Sequence, residues 1–258
     1  MNEEIKNIHN KAIAFYKEKK FPQAIQLWQK ALEVNPHEIE VLYSLGIINF
    51  ELKKYHEAIE FLLRVLELSP GHHKAMLIIG TSYIKLRKFD LAEEYIQNSI
   101  EINPKQKLAY LNLGAIYSVQ KKFEEGIRMF TKVIEEHPSE IRAHFGLAKI
   151  HNILGNPEEA NHHFRKVIEL NPDGALGAAA KKALLLYESA PKDEKDLEQF
   201  YTTGYRYLIN GHYQHAISKF ESYLVNRPND HLVNFLLAEG QLRSGLLKKS
   251  FLSFKKAI

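Results

Sequence analysis

Residues 107–138 read KLAYLNLGAIYSVQKKFEEGIRMFTKVIEEHP. Apolar residues recur in this stretch at spacings of three and four, the pattern of a helix. They form two runs, separated by Lys121-Lys122. Pro138 cannot continue a helix and closes the second run. The stretch therefore predicts a helical hairpin, and the same plan extends to both sides of it. Prolines stand at Pro36, Pro70, Pro104, Pro138 and Pro172, each 34 residues after the last, and Pro228 follows after 56.

With each proline counted as slot 32, repeats begin at Ile5, Ile39, His73, Lys107, Ile141, Leu197 and His231. Slot 8 is small throughout: Ala12, Gly46, Gly80, Gly114, Ala148, Gly204 and Ala238. Slot 20 is Ala24, Ala58, Ala92, Gly126, Ala160, Ala216 and Ser250. Slot 24 is large and apolar, from Trp28 through Leu62, Ile96, Phe130, Phe164 and Phe220 to Phe254. Small residues at slots 8 and 20 let two helix backbones approach, and the slot 24 side chain fills the space beside them. One hairpin cannot bury its apolar face alone, so neighbours must stack.

These slots resemble the tetratricopeptide repeat family. The match is strong in repeat 4 (Leu113-Gly114, Tyr117, Gly126, Phe130, Pro138) and in repeats 2, 3 and 6. Repeat 1 departs with Lys11 at slot 7, and repeat 5 with His144 and His151 at slots 4 and 11. The resemblance implies an all-α fold, a right-handed superhelical solenoid of antiparallel helix pairs. Two breaks divide it. Residues 175–187 read as a solitary alanine-rich capping helix, so that repeats 1–5 and this helix form a first block, 1–187. Residues 188–196 read as a linker, and 197–258 hold repeats 6 and 7. Ile258 falls inside the last helix, so the natural chain is expected either to continue or to use this end for contact.

At 45% hydrophobic and 26% charged residues, the chain is too apolar for disorder. The absence of cysteine excludes disulfides, cysteine zinc sites and a cysteine nucleophile. The net charge of +4 reads as evenly spread, +2 in residues 188–258 and +2 in the rest, which argues against a nucleic-acid binder. The start, Met-Asn-Glu-Glu, is no signal peptide, and no run of 18 apolar residues spans a membrane. A cytoplasmic location is expected.

The resemblance places a binding groove on the first helices of the repeats. Its slots hold Tyr43, Ile47 and Phe50, then Leu77, Thr81 and Ile84, then Leu111 and Asn112, then Phe145 and Lys149. Such an apolar, aromatic lining suits an amphipathic helix or an extended apolar segment of a protein partner. The chaperone-tail clamp of the family would need five residues at His9, Ile13, Ser44, Lys74 and Ile78, of which only Lys74 fits. Self-association through Phe251, Phe254 and Ile258 is an alternative, as is a regulatory part of a larger enzyme.

Basic doublets at Lys19-Lys20, Lys53-Lys54, Arg87-Lys88 and Lys121-Lys122 form a ladder that suits an acidic partner or an anionic membrane, or simply solvated turns balanced by glutamates. His144 and His151 lie two turns apart, too far to share a metal, and no third ligand follows at zinc spacing. No metal, cofactor or catalytic residue is assigned: no phosphate-cradling loop, G-x-S-x-G or H-E-x-x-H is present.

Overall fold

The computed structural model describes residues 2–188 and 194–258, and among these every regular element is an α-helix. Contacts divide the chain into two compact units, Met1–Pro138 and Ser139–Ile258. The first holds α1 (Glu3–Lys17), α2 (Phe21–Val34), α3 (Ile39–Glu51), α4 (Tyr55–Leu68), α5 (His73–Lys85), α6 (Phe89–Ile102), α7 (Lys107–Val119) and α8 (Phe123–Glu136). The second holds α9 (Ile141–Leu154), α10 (Pro157–Leu170), α11 (Ala175–Glu188), α12 (Glu194–Ile209), α13 (Tyr213–Asn226), α14 (His231–Arg243) and α15 (Leu247–Ala257).

Phe21, Tyr55, Phe89, Phe123, Pro157, Tyr213 and Leu247, all at slot 17, each begin the second helix of a pair. The turn before them repeats one hydrogen-bond plan. In repeat 2, Lys53 N donates to Phe50 O at 3.0 Å and Lys54 N to Asn49 O at 2.9 Å, the two bonds of a Schellman cap. This cap puts slot 15 in the left-handed region. Gly155, Gly211 and Gly245 occupy that slot in the second unit, where glycine removes the steric penalty. The first unit instead places Lys19, Lys53, Arg87 and Lys121 there, at φ of 58–61°, each against a penalty of about 1 kcal/mol.

The spacing of slots 8 and 24 works as the sequence implies. A Cβ added at Gly46 would lie 2.5 Å from Leu62 Cγ, and one at Gly114 would lie 2.7 Å from the Phe130 ring. In the first unit each pair then stacks on the next, α2 on α3, α4 on α5 and α6 on α7, and α3 also touches α5. Leu42, Leu62, Val65, Ala75 and Ile79 form one such inter-repeat core.

The boundary between the units lies directly before repeat 5. α11 packs on α9, α10 and α13. Of the expected linker at 188–196, Glu188 ends α11 and Glu194 begins α12; residues 189–193 lie outside the described residues.

Candidate functional site

In the first unit, slots 5, 9 and 12 of two successive first helices hold Tyr43, Ile47 and Phe50 on α3 and Leu77, Thr81 and Ile84 on α5. Spacings of four and three put each trio on one helix face. All six side chains are half-buried, neither core nor fully solvated. The Tyr43 ring lies 4.8 Å from that of His72, and burial pushes its phenol up from the ordinary value. Phe50 stands edge-on to Tyr55 at 5.7 Å. Leu77 and Ile84 lean on the core around Ala92, Ile96, Ala109 and Leu113. Thr81 Oγ1 donates to Leu77 O at 2.7 Å and accepts from Asn112 Nδ2 at 3.0 Å, tying α7 to α5.

Other members of the expected groove are placed differently. Leu111, expected as an anchor, is 5% exposed and lies among the buried residues of α7. Phe145 and Lys149 belong to the second unit, where Phe145 packs edge-on against Phe164 at 6.0 Å and Lys149 is exposed. Phe251 and Ile258 are exposed, and Phe254 is half-buried against Phe235 at 5.5 Å. Among the doublets, Lys20 pairs with Glu18 and Lys122 with Glu93; among the described residues no such pair is found for the other six, so the expected balancing by glutamates is partial.

Three features escaped the sequence reading. Tyr16 donates a hydrogen bond to Glu51, linking α1 to the end of α3; burial, then this bond, pushes its phenol up to about 12. An open cleft of about 680 Å³ among α12, α13 and α14 is lined by Tyr201, Tyr223, Arg227 and Asp230, with Tyr223 Oη donating to Asp230 Oδ2 at 3.0 Å. Third, His163 on α10 joins the two histidines of α9. Its Nδ1 lies 3.0 Å from His144 Nδ1, and its ring stacks on His151 at 6.1 Å. The i, i+7 pair looked too distant because its bridge comes from the partner helix. Among the described residues, no three His, Asp or Glu side chains converge to hold a metal.

The histidine group has a consequence for stability. Burial, then His144, His162 and His151, hold the His163 imidazole down at about 4. The unfolded chain, near 6.5, takes up this proton first. Stability is therefore full above pH 6.5 and declines as pH falls from 6.5 to 4, by roughly 1–2 kcal/mol after discounting for solvent screening at this half-open site. Urea denaturation across this range should show the decline in the wild type and a weaker one in His163→Asn. Identical slopes would remove His163 as the cause.

Family profiles described as tetratricopeptide repeat match residues 9–73, 73–106 and 117–175. Among solved structures, MamA residues 41-end from Desulfovibrio magneticus RS-1 is 25% identical, with a TM-score of 0.63, over 68% of this chain and 99% of that one. Another MamA crystal structure is 24% identical, with a TM-score of 0.61, over 67% and 94%. YrrB, titled a TPR protein with an unusual peptide-binding site, is 24% identical, with a TM-score of 0.59, over 68% and 90%. No curated protein matches significantly. With the helix pairs, the slot 8 and slot 24 contacts and these profile matches in agreement, the chain belongs to the tetratricopeptide repeat family.

Proposed function

We propose that the chain is a non-catalytic scaffold that holds an apolar segment of a partner protein, helical or extended, against α3 and α5. The observation that carries this reading is the doubled trio. Tyr43, Ile47 and Phe50 recur, one repeat later, as Leu77, Thr81 and Ile84, and all six remain partly open to solvent. A ladder of partly exposed apolar groups on successive repeats matches the i, i+3, i+4 anchors of an amphipathic helix. The patch has limits: on α7 the same slots hold the buried Leu111, then Ala115 and Ser118. Among the described residues no helix is long and apolar enough to cross a membrane. We place the scaffold in the cytoplasm.

The test is selection of peptides from a displayed library on the intact protein. Ile47 lies outside the buried clusters, so Ile47→Glu tests the groove without opening the core. Selected peptides are expected to be apolar or amphipathic. Ile47→Glu should weaken them by roughly 30-fold, the effect of losing an anchor, while Lys30→Glu on α2 leaves them unchanged. Peptides bound equally by Ile47→Glu and wild type would overturn the reading.

A further inference from the structure

We infer that the turns inside the helix pairs of the first unit form a docking surface for an acidic, extended segment of another protein. The first observation is charge. Residues 1–138 hold 19 Lys and Arg against 18 Asp and Glu. Ten of these cations and only two of the carboxylates fall in slots 13–16 of the four repeats, so the turns carry +8 and the rest of the unit −7. The eight doublet cations are all exposed. Lys19, Lys53, Arg87 and Lys121, the four at slot 15, are among the six for which no ion pair is found among the described residues.

The second observation is conformational. Slot 15 is left-handed in every repeat, and Gly155, Gly211 and Gly245 meet that demand in the second unit. The first unit holds a long cation there four times over and bears the steric penalty each time. Capping does not account for this. The bonds of the cap come from the backbone, so glycine closes the turn as well. A cation at slot 13, the last helical residue, would meet the helix dipole without a left-handed backbone. What glycine cannot supply is the charge. The turns also stand side by side. Tyr16, three residues before Lys19, donates to Glu51, two before Lys53. Gln120 Nε2, next to Lys121, donates to Asp90 Oδ1, two after Lys88, at 3.1 Å. The first helices α3 and α5 touch, as do α5 and α7.

The step between turns selects the partner. Neighbouring helices pack about 8–10 Å apart, and a polyproline II chain advances about 9.3 Å per turn of three residues. A run of about ten acidic residues, extended by its own repulsion, therefore sets one carboxylate opposite each doublet. Other anions fit less well. Nucleic acid is held by arginine forks and stacked aromatic rings. Yet seven of the eight doublet cations are lysine, and Phe21, Tyr55, Phe89 and Phe123 beside them are half-buried. A lipid surface would be held by charge alone: among the described residues of slots 13–17 in this unit, Val119 is the only exposed large apolar side chain. A second copy has no three consecutive acidic residues to offer.

The experiment is fluorescence anisotropy of labelled deca-glutamate titrated with the full chain. Binding is expected and should weaken steeply with salt. The decisive variant copies the second unit, with Lys19→Gly, Lys53→Gly, Arg87→Gly and Lys121→Gly together. Each exposed pair contributes about twofold to fivefold, so this variant should bind at least about 15-fold more weakly. It should unfold at no lower urea concentration than the wild type, since glycine relieves the left-handed penalty. Lys54→Gln with Lys88→Gln, at ordinary backbone angles, should weaken binding at least about fourfold. Changing Lys248, Lys249, Lys255 and Lys256 to Gln removes the same charge from the second unit and should leave binding nearly unchanged. No binding of deca-glutamate, equal binding by the glycine variant and the wild type, or equal weakening in both quadruple variants would overturn the inference. Tighter binding of oligothymidylate or of phosphatidylglycerol vesicles, lost in the glycine variant, would also overturn it and assign the turns to nucleic acid or lipid.

Discussion

Replacing Trp28 with alanine is expected to destabilise the first unit by about 3–5 kcal/mol. The indole is 2% exposed and fills the core built from Ile5, Ala12, Ala24, Ala31, Val41, Leu45 and Ile48, so alanine leaves a cavity shared by the first two repeats. It also strands a polar atom: Trp28 Nε1 donates to His9 Nδ1 at 3.0 Å, and His9 is itself buried. Trp28→Phe separates the two losses, since most of the volume stays and only the bond goes, at about 1–2 kcal/mol. Burial holds the His9 imidazole below its ordinary value, against the pull of Glu40 and Glu38, and the bond requires His9 to be unprotonated at Nδ1. Without the donor, that imidazole should titrate at higher pH. Urea denaturation followed by far-ultraviolet ellipticity, with His9 titrated by NMR, reads both. A loss under about 1 kcal/mol for Trp28→Ala, well below the usual cost of emptying an aromatic core site, would mean that the first helix pair contributes little to the stability of the unit.

The helices were legible because their signals are local and repeated. A small side chain at slot 8, a large apolar one at slot 24 and a proline at slot 32 each act within one hairpin, and seven copies of the first two and six of the third make the pattern visible through the variation of any one. The left-handed slot 15 was legible only as a turn. Lys53 and Gly155 differ in every property except the cap that each closes, so the shared conformation emerges only from the bonds to Phe50 and Asn152. The division before Ser139 was not legible, because it depends on packing between repeats, and the proline spacing runs through it unchanged.

The candidate site was legible to the level of the helix face and no further. Slot numbering put Tyr43, Ile47 and Phe50 on one face of α3 and Leu77 and Ile84 on one face of α5, but it cannot measure how far each leans into its neighbour. Leu111 shows the difference: the same slot as Tyr43, one repeat beyond Leu77, yet buried. The histidine group shows a second limit. His144 and His151 were judged on one helix, whereas contact through His163 requires the register of α10 against α9. Charge was legible only in bulk: the total of +2 over 188–258 averages over Gly240 to Ile258, which holds five Lys and Arg and no acidic residue.

Phe220 and Gly204 should behave as a single structural unit, and their joint effect should be far from additive. Phe220 is fully buried among Leu208, Ile217, Val233 and Leu236, so Phe220→Ala should cost about 3–5 kcal/mol. Gly204 lies against the same ring: an added Cβ would be 2.7 Å from Phe220 Cε1 and 3.0 Å from Cδ1. Gly204→Ala alone should therefore cost about 1–2 kcal/mol, because overpacking outweighs the better helix propensity of alanine. With the ring removed, the conflict disappears. In the Phe220→Ala background the added methyl enters the vacated space and the helix gains from losing glycine, so Gly204→Ala should become neutral or stabilising. The resulting coupling of about 1–3 kcal/mol is the energy that a small slot 8 contributes by admitting a large slot 24. Denaturation of the four proteins, followed by hydrogen exchange in α13, measures it. Additive costs would mean that the backbones separate freely at this crossing, and that the small residue at slot 8 has another cause.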